Sequence, residues 1–324
     1  NYLKMKTIAI IAVVGIAAAV LFSLQSSPST EVENEFRAFL DTYRVGYGST
    51  EEFSYRLGVF QENLNRIAQL RIRNPLATFG VNKFADRTPD EMKKLRGYKS
   101  AGKASPVVAD KVSDVPTIDW SGIWGSVKDQ GQCGSCWAFS ATAAFEARYA
   151  FKQGQKTVST LFSEQELVDC DTQSEGCNGG LMDYAFEYLE KSGFCTEDQY
   201  PYVAYDQKCK ASKCSKGQPT DTGYTDITPG SESAVFTALA EAPLSVAVDA
   251  EDWSYYTGGI FSDCGTDLDH GVTLVGAGKK GNQSFVLIRN SWAGDWGENG
   301  HIRLAAGNGL NTCGYLSDPS VPTF

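Results

Sequence analysis

Residues 130–140 read QGQCGSCWAFS. Two cysteines, Cys133 and Cys136, stand three apart, and the second opens the run WAFSATAAFEARYAFK (137–152). That run is rich in good helix formers, with apolar positions at Phe139, Ala143, Tyr149 and Phe151. The pair admits three chemistries: a redox couple, half of a metal site, or a disulfide cysteine beside a catalytic one. A thiol at a helix N-terminus is favoured as thiolate by the helix dipole, and more so by an imidazolium beside it.

The rest of the chain separates these readings. It holds two histidines, His270 and His301. A zinc site would want a second closely spaced Cys or His pair, and neither a second C-x-x-C nor a paired histidine occurs. The redox reading has thioredoxin-like spacing, but helices come first and strands later, so no strand feeds the motif. The nine cysteines begin at Cys133, and their odd number leaves at least one thiol without an intramolecular partner. A lone nucleophile then needs an imidazole base, a group to orient it and an oxyanion donor. His270 in LDHGVTLVG enters a strand, Asn290 in RNSWAGDWGENG leaves one, and Gln130 offers a neutral side-chain N–H.

Residues 31–73 read as helical. Phe36, Phe39 and Tyr43 share a face, and Glu52, Arg56, Phe60, Asn63 and Ile67 follow at steps of three and four. Asn74–Pro75 stops the pattern. FGVNKFAD (79–86) alternates and reads as a short strand, and RTPDEM opens a helix capped by Thr88 with Pro89 first. Residues 97–114 have linker composition. SEQELVDC predicts a capping box of Ser163 and Glu166, and GGLMDYAFEYLEKSG a helix ended by Gly193. After residue 220 LSVAVDA, GVTLVGAG and QSFVLIRN are β-rich. The fold class expected is α+β, a helical half followed by a strand-rich half.

With 42% hydrophobic and 21% charged residues the chain is ordinary globular protein. Its net charge of −10 is uneven. Residues 1–114 carry 16 Lys/Arg against 12 Asp/Glu, and residues 115–324 carry 13 against 27. Nucleic acid is thereby disfavoured as a partner. A basic N-terminal part can instead sit on an acidic C-terminal part, an attraction that acid weakens by protonating carboxylates.

QGQCGSCWAFS, GCNGG (176–180), DHGV (269–272) and NSW..WGE.G (290–300) occur in the order found in papain-family cysteine proteases. Cys136 precedes His270 by 134 residues and Asn290 by 154, in keeping with the family signature. The chain strongly resembles that family, cathepsin L-like, from about residue 35 to 320. The resemblance implies a two-lobed protease, with a helical left lobe, a β-barrel-like right lobe and a cleft between, preceded by a helical inhibitory prodomain. It implies Cys136 as nucleophile, His270 as general base and acid, Asn290 as the group orienting the imidazole, and Gln130 with the backbone N–H of Cys136 as oxyanion hole. Trp292 would shield the His270–Asn290 bond, and His301 is structural. Expected bridges are Cys133–Cys177, Cys170–Cys209 and Cys264–Cys313. Cys195 and Cys214 remain for an additional one, and Cys136 is free.

Gly179 and Gly180 would bond a substrate backbone, and Leu181, Met182, Ala247 and Leu268 would line an apolar S2 pocket beside Asp269. Asp318 falls at the floor of that pocket, where a carboxylate adds preference for Arg or Lys at P2. Glu52, Arg56, Phe60, Asn63 and Ile67 follow the family's ERFNIN pattern, with Arg71 where the last asparagine falls. Gly80, Asn82, Phe84 and Asp86 match G-x-N-x-F-x-D. Phe285, Val286 and Ala293 depart from the family at positions expected to touch packing rather than chemistry.

The domain division expected is a signal peptide or signal anchor over 1–26 with translation starting at Met5, an inhibitory prodomain over 27–112 ending in a linker, and a catalytic domain over 113–324. Cleavage at about residues 110–115, triggered by acid, would release the mature enzyme. Asn282-Gln283-Ser284 is a glycosylation sequon usable on entry to the ER. The resemblance implies no cofactor and no metal. Implied partners are protein and peptide substrates, the chain's own prodomain and cystatin-type inhibitors. The protein is expected to be monomeric, to meet a membrane only through an uncleaved anchor, and to enter the secretory pathway for the lysosome, a food vacuole or the outside. A non-catalytic or inhibitory protein on the same fold is the alternative.

Overall fold

The computed structural model describes residues 28–100, 102, 110–214 and 218–324. The apolar segment at 1–26 and the middle of the expected linker, 101 and 103–109, lie outside them. The described chain divides after Asn63 into two compact units. In the first, Ser29 caps helix α1 (Thr30–Tyr43) by accepting the N–H of Val32, and Arg44 ends it in the left-handed region at φ 54°. Helix α2 (Thr50–Arg73) restarts six residues later, with Ser49 Oγ accepting the N–H of Glu52. The continuous helicity expected over 31–73 is therefore interrupted at 44–49. Phe36, Phe39 and Phe60 form the buried centre of this unit, with Phe60 5.2 Å from Phe36 and 5.4 Å from Phe39 between ring centroids.

The second unit begins within α2. Strand β1 (Ala77–Phe79) and helix α3 (Pro89–Lys93) follow, α3 carrying a complete Thr88–Glu91 capping box. FGVNKFAD contributes only its first residue to a strand: Gly80 to Asn82 is irregular and Lys83 to Asp86 is a turn. Asn82 is the reason, since its Nδ2 donates to Ser254 O and its Oδ1 accepts the N–H of Phe84, pulling the chain out of a ladder. The remaining elements are β2 (Ile118–Asp119), α4 (Cys136–Lys152), α5 (Glu164–Cys170), α6 (Met182–Ser192), β3 (Tyr224–Asp226), α7 (Glu232–Leu239), β4 (Leu244–Val248), β5 (Tyr256–Phe261), β6 (His270–Lys280), β7 (Gln283–Arg289), β8 (His301–Ala305) and β9 (Ser320–Pro322).

The strands run in the order β1-β5-β8-β7-β6-β4-β9-β3, with β2 against β6. The pairs are antiparallel except β5–β8. The path is open rather than barrel-like: β1 and β3 each pair with one neighbour among the described residues. Two cores flank the cleft. Val246, Leu274, Ile288 and Ile302 pack on the sheet side, and Trp137, Phe145, Phe162 and Phe186 among the helices. Each buried aromatic side chain removes on the order of 150–250 Å² from water.

Helix α5 departs from its expected cap. Ser163 Oγ accepts the N–H of Glu166, but the Glu166 carboxylate turns away to the N–H of Cys195 and the hydroxyl of Tyr188. The strand-like bond from Ser163 N to Cys195 O occupies the donor that a full box would use.

Candidate active site

Cys136 is the first residue of α4, fully buried, so the free N–H groups of the first helical turn lie beside its sulfur. Sγ accepts from the N–H of Gly271 at 3.4 Å and from that of Gly97 at 3.2 Å. His270 opens β6, opposite Val248 of β4. Its Nε2 lies 2.8 Å from Asn290 Oδ1, just past the end of β7, which the antiparallel β6–β7 pairing brings alongside. The other ring nitrogen, Nδ1, is buried without a hydrogen-bond partner. Trp292 is fully buried with its ring centroid 4.9 Å from that of His270, and Phe84 meets it edge-on at 5.6 Å.

Gln130 is fixed at both ends of its amide. Oε1 accepts from Ser291 Oγ at 2.6 Å, and Nε2 donates to Cys133 O and to Leu95 O, each at 2.8 Å. The bond from Gln130 N to Ser291 O at 2.9 Å ties this segment to the asparagine's own loop. Ala293 in that loop sits at φ 62°, where a glycine is unstrained and a Cβ costs ~1–2 kcal/mol. Its departure from the family thus touches backbone conformation and not packing alone.

Residues 95–99 lie across this constellation. Gly97 N–H meets the sulfur, Gly180 N donates to Gly97 O at 2.8 Å, Lys99 N donates to Gly180 O at 2.9 Å, and Tyr98 N to Asp269 O at 3.0 Å. The bridge between Tyr98 and Gly180 is parallel. Tyr98 packs with Leu181, Met182, Ala247 and Leu268, and its hydroxyl donates to Asp318 Oδ2 at 2.5 Å. The residues assigned from sequence to an S2 pocket thus share one buried cluster with Tyr98. A Cβ on Gly179 would lie 2.5 Å from Gly97 O and one on Gly180 2.6 Å from the Trp137 ring, so both positions need glycine for close approach. Sequence reading gave residues 97–114 linker composition, and the resemblance implied that this linker is the blocking segment of the prodomain; the contacts of Leu95 and Arg96, which precede it, were missed. The one available signal was a glycine next to a tyrosine inside a basic run.

Burial governs the ionisation of the pair. It pushes the Cys136 thiol up to about 11, against the opposing N–H groups of Gly271 and Gly97. It pulls His270 down to about 3, the bond to Asn290 opposing and the charge of Arg96 adding. In this buried state both shifts favour the uncharged forms, thiol and neutral imidazole.

Four disulfides join Cys133–Cys177, Cys170–Cys209, Cys195–Cys214 and Cys264–Cys313, and Cys136 is the free thiol. Cys133 is therefore not the redox partner of Cys136. Its bridge to Cys177, with Gly134 N on Cys177 O at 2.9 Å, fastens the loop before α4 to the GCNGG turn. His301 is buried in β8 with Nδ1 on Asn299 O, remote in sequence and bonding from His270. Arg71 donates from Nε and Nη2 to Phe79 O at 3.1 and 2.7 Å, tying the end of α2 to β1.

Residues 115–323 match the model of the papain family cysteine proteases, and residues 36–92 that of the cathepsin propeptide inhibitor domain. The chain is 38% identical over 306 residues to cysteine protease XCP2 of Arabidopsis thaliana, covering 89% of this chain and 85% of that one. It is 39% identical to the KDEL-tailed cysteine endopeptidase CEP2 of the same plant, covering 90% and 88%. Among solved structures it resembles digestive procathepsin L 3 of Tenebrio molitor larval midgut, with TM-score 0.77, 34% identity and coverage of 92% and 100%. Recombinant stem bromelain precursor superimposes with TM-score 0.78 at 33% identity, covering 91% and 99%.

Proposed function

The chain belongs to the papain family of cysteine proteases, a cysteine endopeptidase carrying an inhibitory propeptide, and from this premise we propose how it works. Cys136 attacks the scissile carbonyl as thiolate, and His270 carries the proton, taking it from sulfur and giving it to the leaving amine. Asn290 holds the imidazole through Nε2, so that Nδ1 is the nitrogen left for sulfur. Gln130 Nε2 and the N–H of Cys136 hold the oxyanion of the tetrahedral intermediate, each such donor being worth on the order of 3 kcal/mol. The thioester then hydrolyses by the same proton route in reverse.

The observation that carries this reading is the seat of the propeptide backbone. A peptide carbonyl, that of Leu95, occupies the Gln130 donor while the N–H two residues on meets the nucleophile. The segment lies parallel to Gly180, the backwards course shared by family prodomains, and covers the groups that a substrate would use.

The apolar pocket around Tyr98 is the S2 site. Its floor, Asp318, accepts a hydroxyl hydrogen bond in the zymogen and would accept a guanidinium in the open enzyme. Release by acid rests on the ion pairs binding residues 64–99 to the catalytic part: Arg66 and Arg73 to Asp252, Arg73 to Asp263, Lys83 to Asp295 and Lys99 to Glu175. Acid weakens an attraction of this kind between a basic and an acidic part. The four disulfides favour an oxidising compartment reached through the secretory pathway. No helix among the described residues is long and apolar enough to cross a membrane.

The test uses acid-activated enzyme with Phe-Arg and Arg-Arg dipeptide fluorogenic substrates. Wild type is expected to cleave both, Cys136→Ala neither. Asp318→Ala is expected to keep Phe-Arg turnover and lose roughly tenfold or more on Arg-Arg. Turnover surviving in Cys136→Ala would overturn the mechanism, and equal Arg-Arg turnover in Asp318→Ala the pocket floor.

A further inference from the structure

The turn from Gln130 to Cys136 carries both donors assigned to the oxyanion, one at each end. A residue from another loop bridges those ends. The hydroxyl of Tyr202 donates to Gln130 O at 2.8 Å and lies 2.6 Å from Ser135 Oγ. Its single hydrogen is spent on the carbonyl, so in the second bond Ser135 is the donor. One phenolic oxygen thereby joins the residue that bears the side-chain donor to the residue just before the nucleophile. Ser135 stands fully buried at the N-cap of α4, yet its hydroxyl takes no helical N–H, as a serine in that place commonly does. The bond to Tyr202 accounts for that departure.

Tyr202 is itself held in place. Its N–H donates to Glu197 Oε1 at 2.9 Å, and the N–H of Val203 to Gln165 Oε1 at 2.9 Å. Two residues earlier, Tyr200 O accepts from Ser163 Oγ. Ser163 and Gln165 are fully buried at the start of α5. The Tyr202 ring meets Phe139, in the first turn of α4, edge-on at 4.9 Å between centroids. A Cβ on Gly131 would lie 3.2 Å from that of Ala204, so the two loops are in contact. All these residues lie within 115–323, and the bridge therefore stays when the propeptide leaves.

We infer that Tyr202 is a positioning residue for the oxyanion hole, fixing Gln130 Nε2 relative to the N–H of Cys136. The inference rests on the reading above in which these two donors hold the tetrahedral oxygen. Donors of this kind act by being aligned before charge develops, so loss of alignment is felt in the transition state rather than in substrate binding. A residue that merely supports the fold would instead affect every reaction of Cys136 alike.

The test uses mature enzyme carrying Tyr202→Phe, which removes the hydroxyl and keeps the ring against Phe139. Rates are taken per active site, titrated with a covalent epoxide inhibitor of thiol proteases. On a fluorogenic dipeptide substrate, kcat is expected to fall roughly tenfold with KM nearly unchanged. A peptide aldehyde reports on the hole itself: sulfur adds to the carbonyl carbon, the C=O π bond breaks, and the thiol proton passes to the oxygen. Its affinity is expected to weaken by a similar factor. Alkylation by iodoacetamide forms C–S, breaks C–I and builds no charge on oxygen, so its rate is expected to stay within about twofold. Added to Gln130→Ala, Tyr202→Phe is expected to cost no more than about threefold further, since the donor it positions is gone. Unchanged kcat in Tyr202→Phe, a loss shared equally by alkylation, or the full loss repeated on top of Gln130→Ala would each overturn the role of Tyr202 and leave the endopeptidase standing. Wild-type kcat in Gln130→Ala would overturn the oxyanion reading itself.

Discussion

Gly97 shows how much a single hydrogen atom in place of a methyl can control. A Cβ there would lie 1.9 Å from Gly134 O and 2.6 Å from its carbonyl carbon. These are backbone atoms pinned by the Gly134–Cys177 hydrogen bond and the Cys133–Cys177 bridge, so the propeptide has to move instead. Lifting it breaks the contact with Cys136 Sγ and the bond from Gly180 N to Gly97 O. Overpacking of this kind costs about 1–3 kcal/mol. Unprocessed Gly97→Ala proform is expected to turn over a fluorogenic peptide at pH 7 roughly tenfold or more faster than unprocessed wild type. Equal activity of the two intact proforms would show that the close approach does not hold the segment down.

At the scale of elements, the helix that begins at Cys136, the strand that opens with His270 and the strand that ends just before Asn290 were legible because each carries a strong local signal. Helix formers follow the thiol, and β-rich runs adjoin both partners. The order of the four motifs supplied what local pattern lacked, since Gln130, His270 and Asn290 meet only through tertiary pairing. FGVNKFAD misled because alternation reports burial on two faces and not the hydrogen bonds of the backbone. There, the Asn82 side chain outcompeted a ladder. The interruption at 44–49 was obscured by apolar residues that keep helical spacing on both sides of it.

The same helix yields a prediction about its first residue. Near pH 7 a thiol held at about 11 is ionised in roughly one molecule in ten thousand. Alkylation of Cys136 by iodoacetamide in the intact proform is expected to climb steadily from pH 7 towards pH 10, followed by peptide mapping. A plateau between pH 6 and 8 would mean that the thiolate is already formed under the propeptide.

For the whole molecule, net charge and the buried carboxyls act in the same direction on stability, while the buried imidazoles of His270 and His301, whose pKa burial lowers, oppose them in acid. Burial pushes Glu166 and Asp221 each up to about 7, the first against bonds from Cys195 N and Tyr188, the second with Glu190 adding to the effect. Unfolded, these groups would titrate near 4. The folded state therefore holds protons that the unfolded chain has released. Their contribution is most favourable in acid and declines as pH rises from about 4 through 7. The excess of Asp/Glu over Lys/Arg in residues 115–324 adds self-repulsion in that same window. The Tm of Cys136→Ala proform, which cannot digest itself, is expected to fall by roughly 5–10 °C between pH 5 and pH 8. A Tm that rises over this interval would contradict the assignment of buried, proton-holding carboxyls.

The central claim is that Cys136 is a nucleophile kept neutral by a propeptide that acid releases. Intact-mass measurement of purified proform, incubated at pH 7 and at pH 4–5 with a covalent epoxide inhibitor of thiol proteases, tests it directly. At pH 7 the account predicts full-length, unlabelled chain. In acid it predicts loss of about 110 N-terminal residues and one inhibitor adduct that maps to Cys136. Full-length, unlabelled protein at both pH values, or an adduct on any other residue, would contradict it.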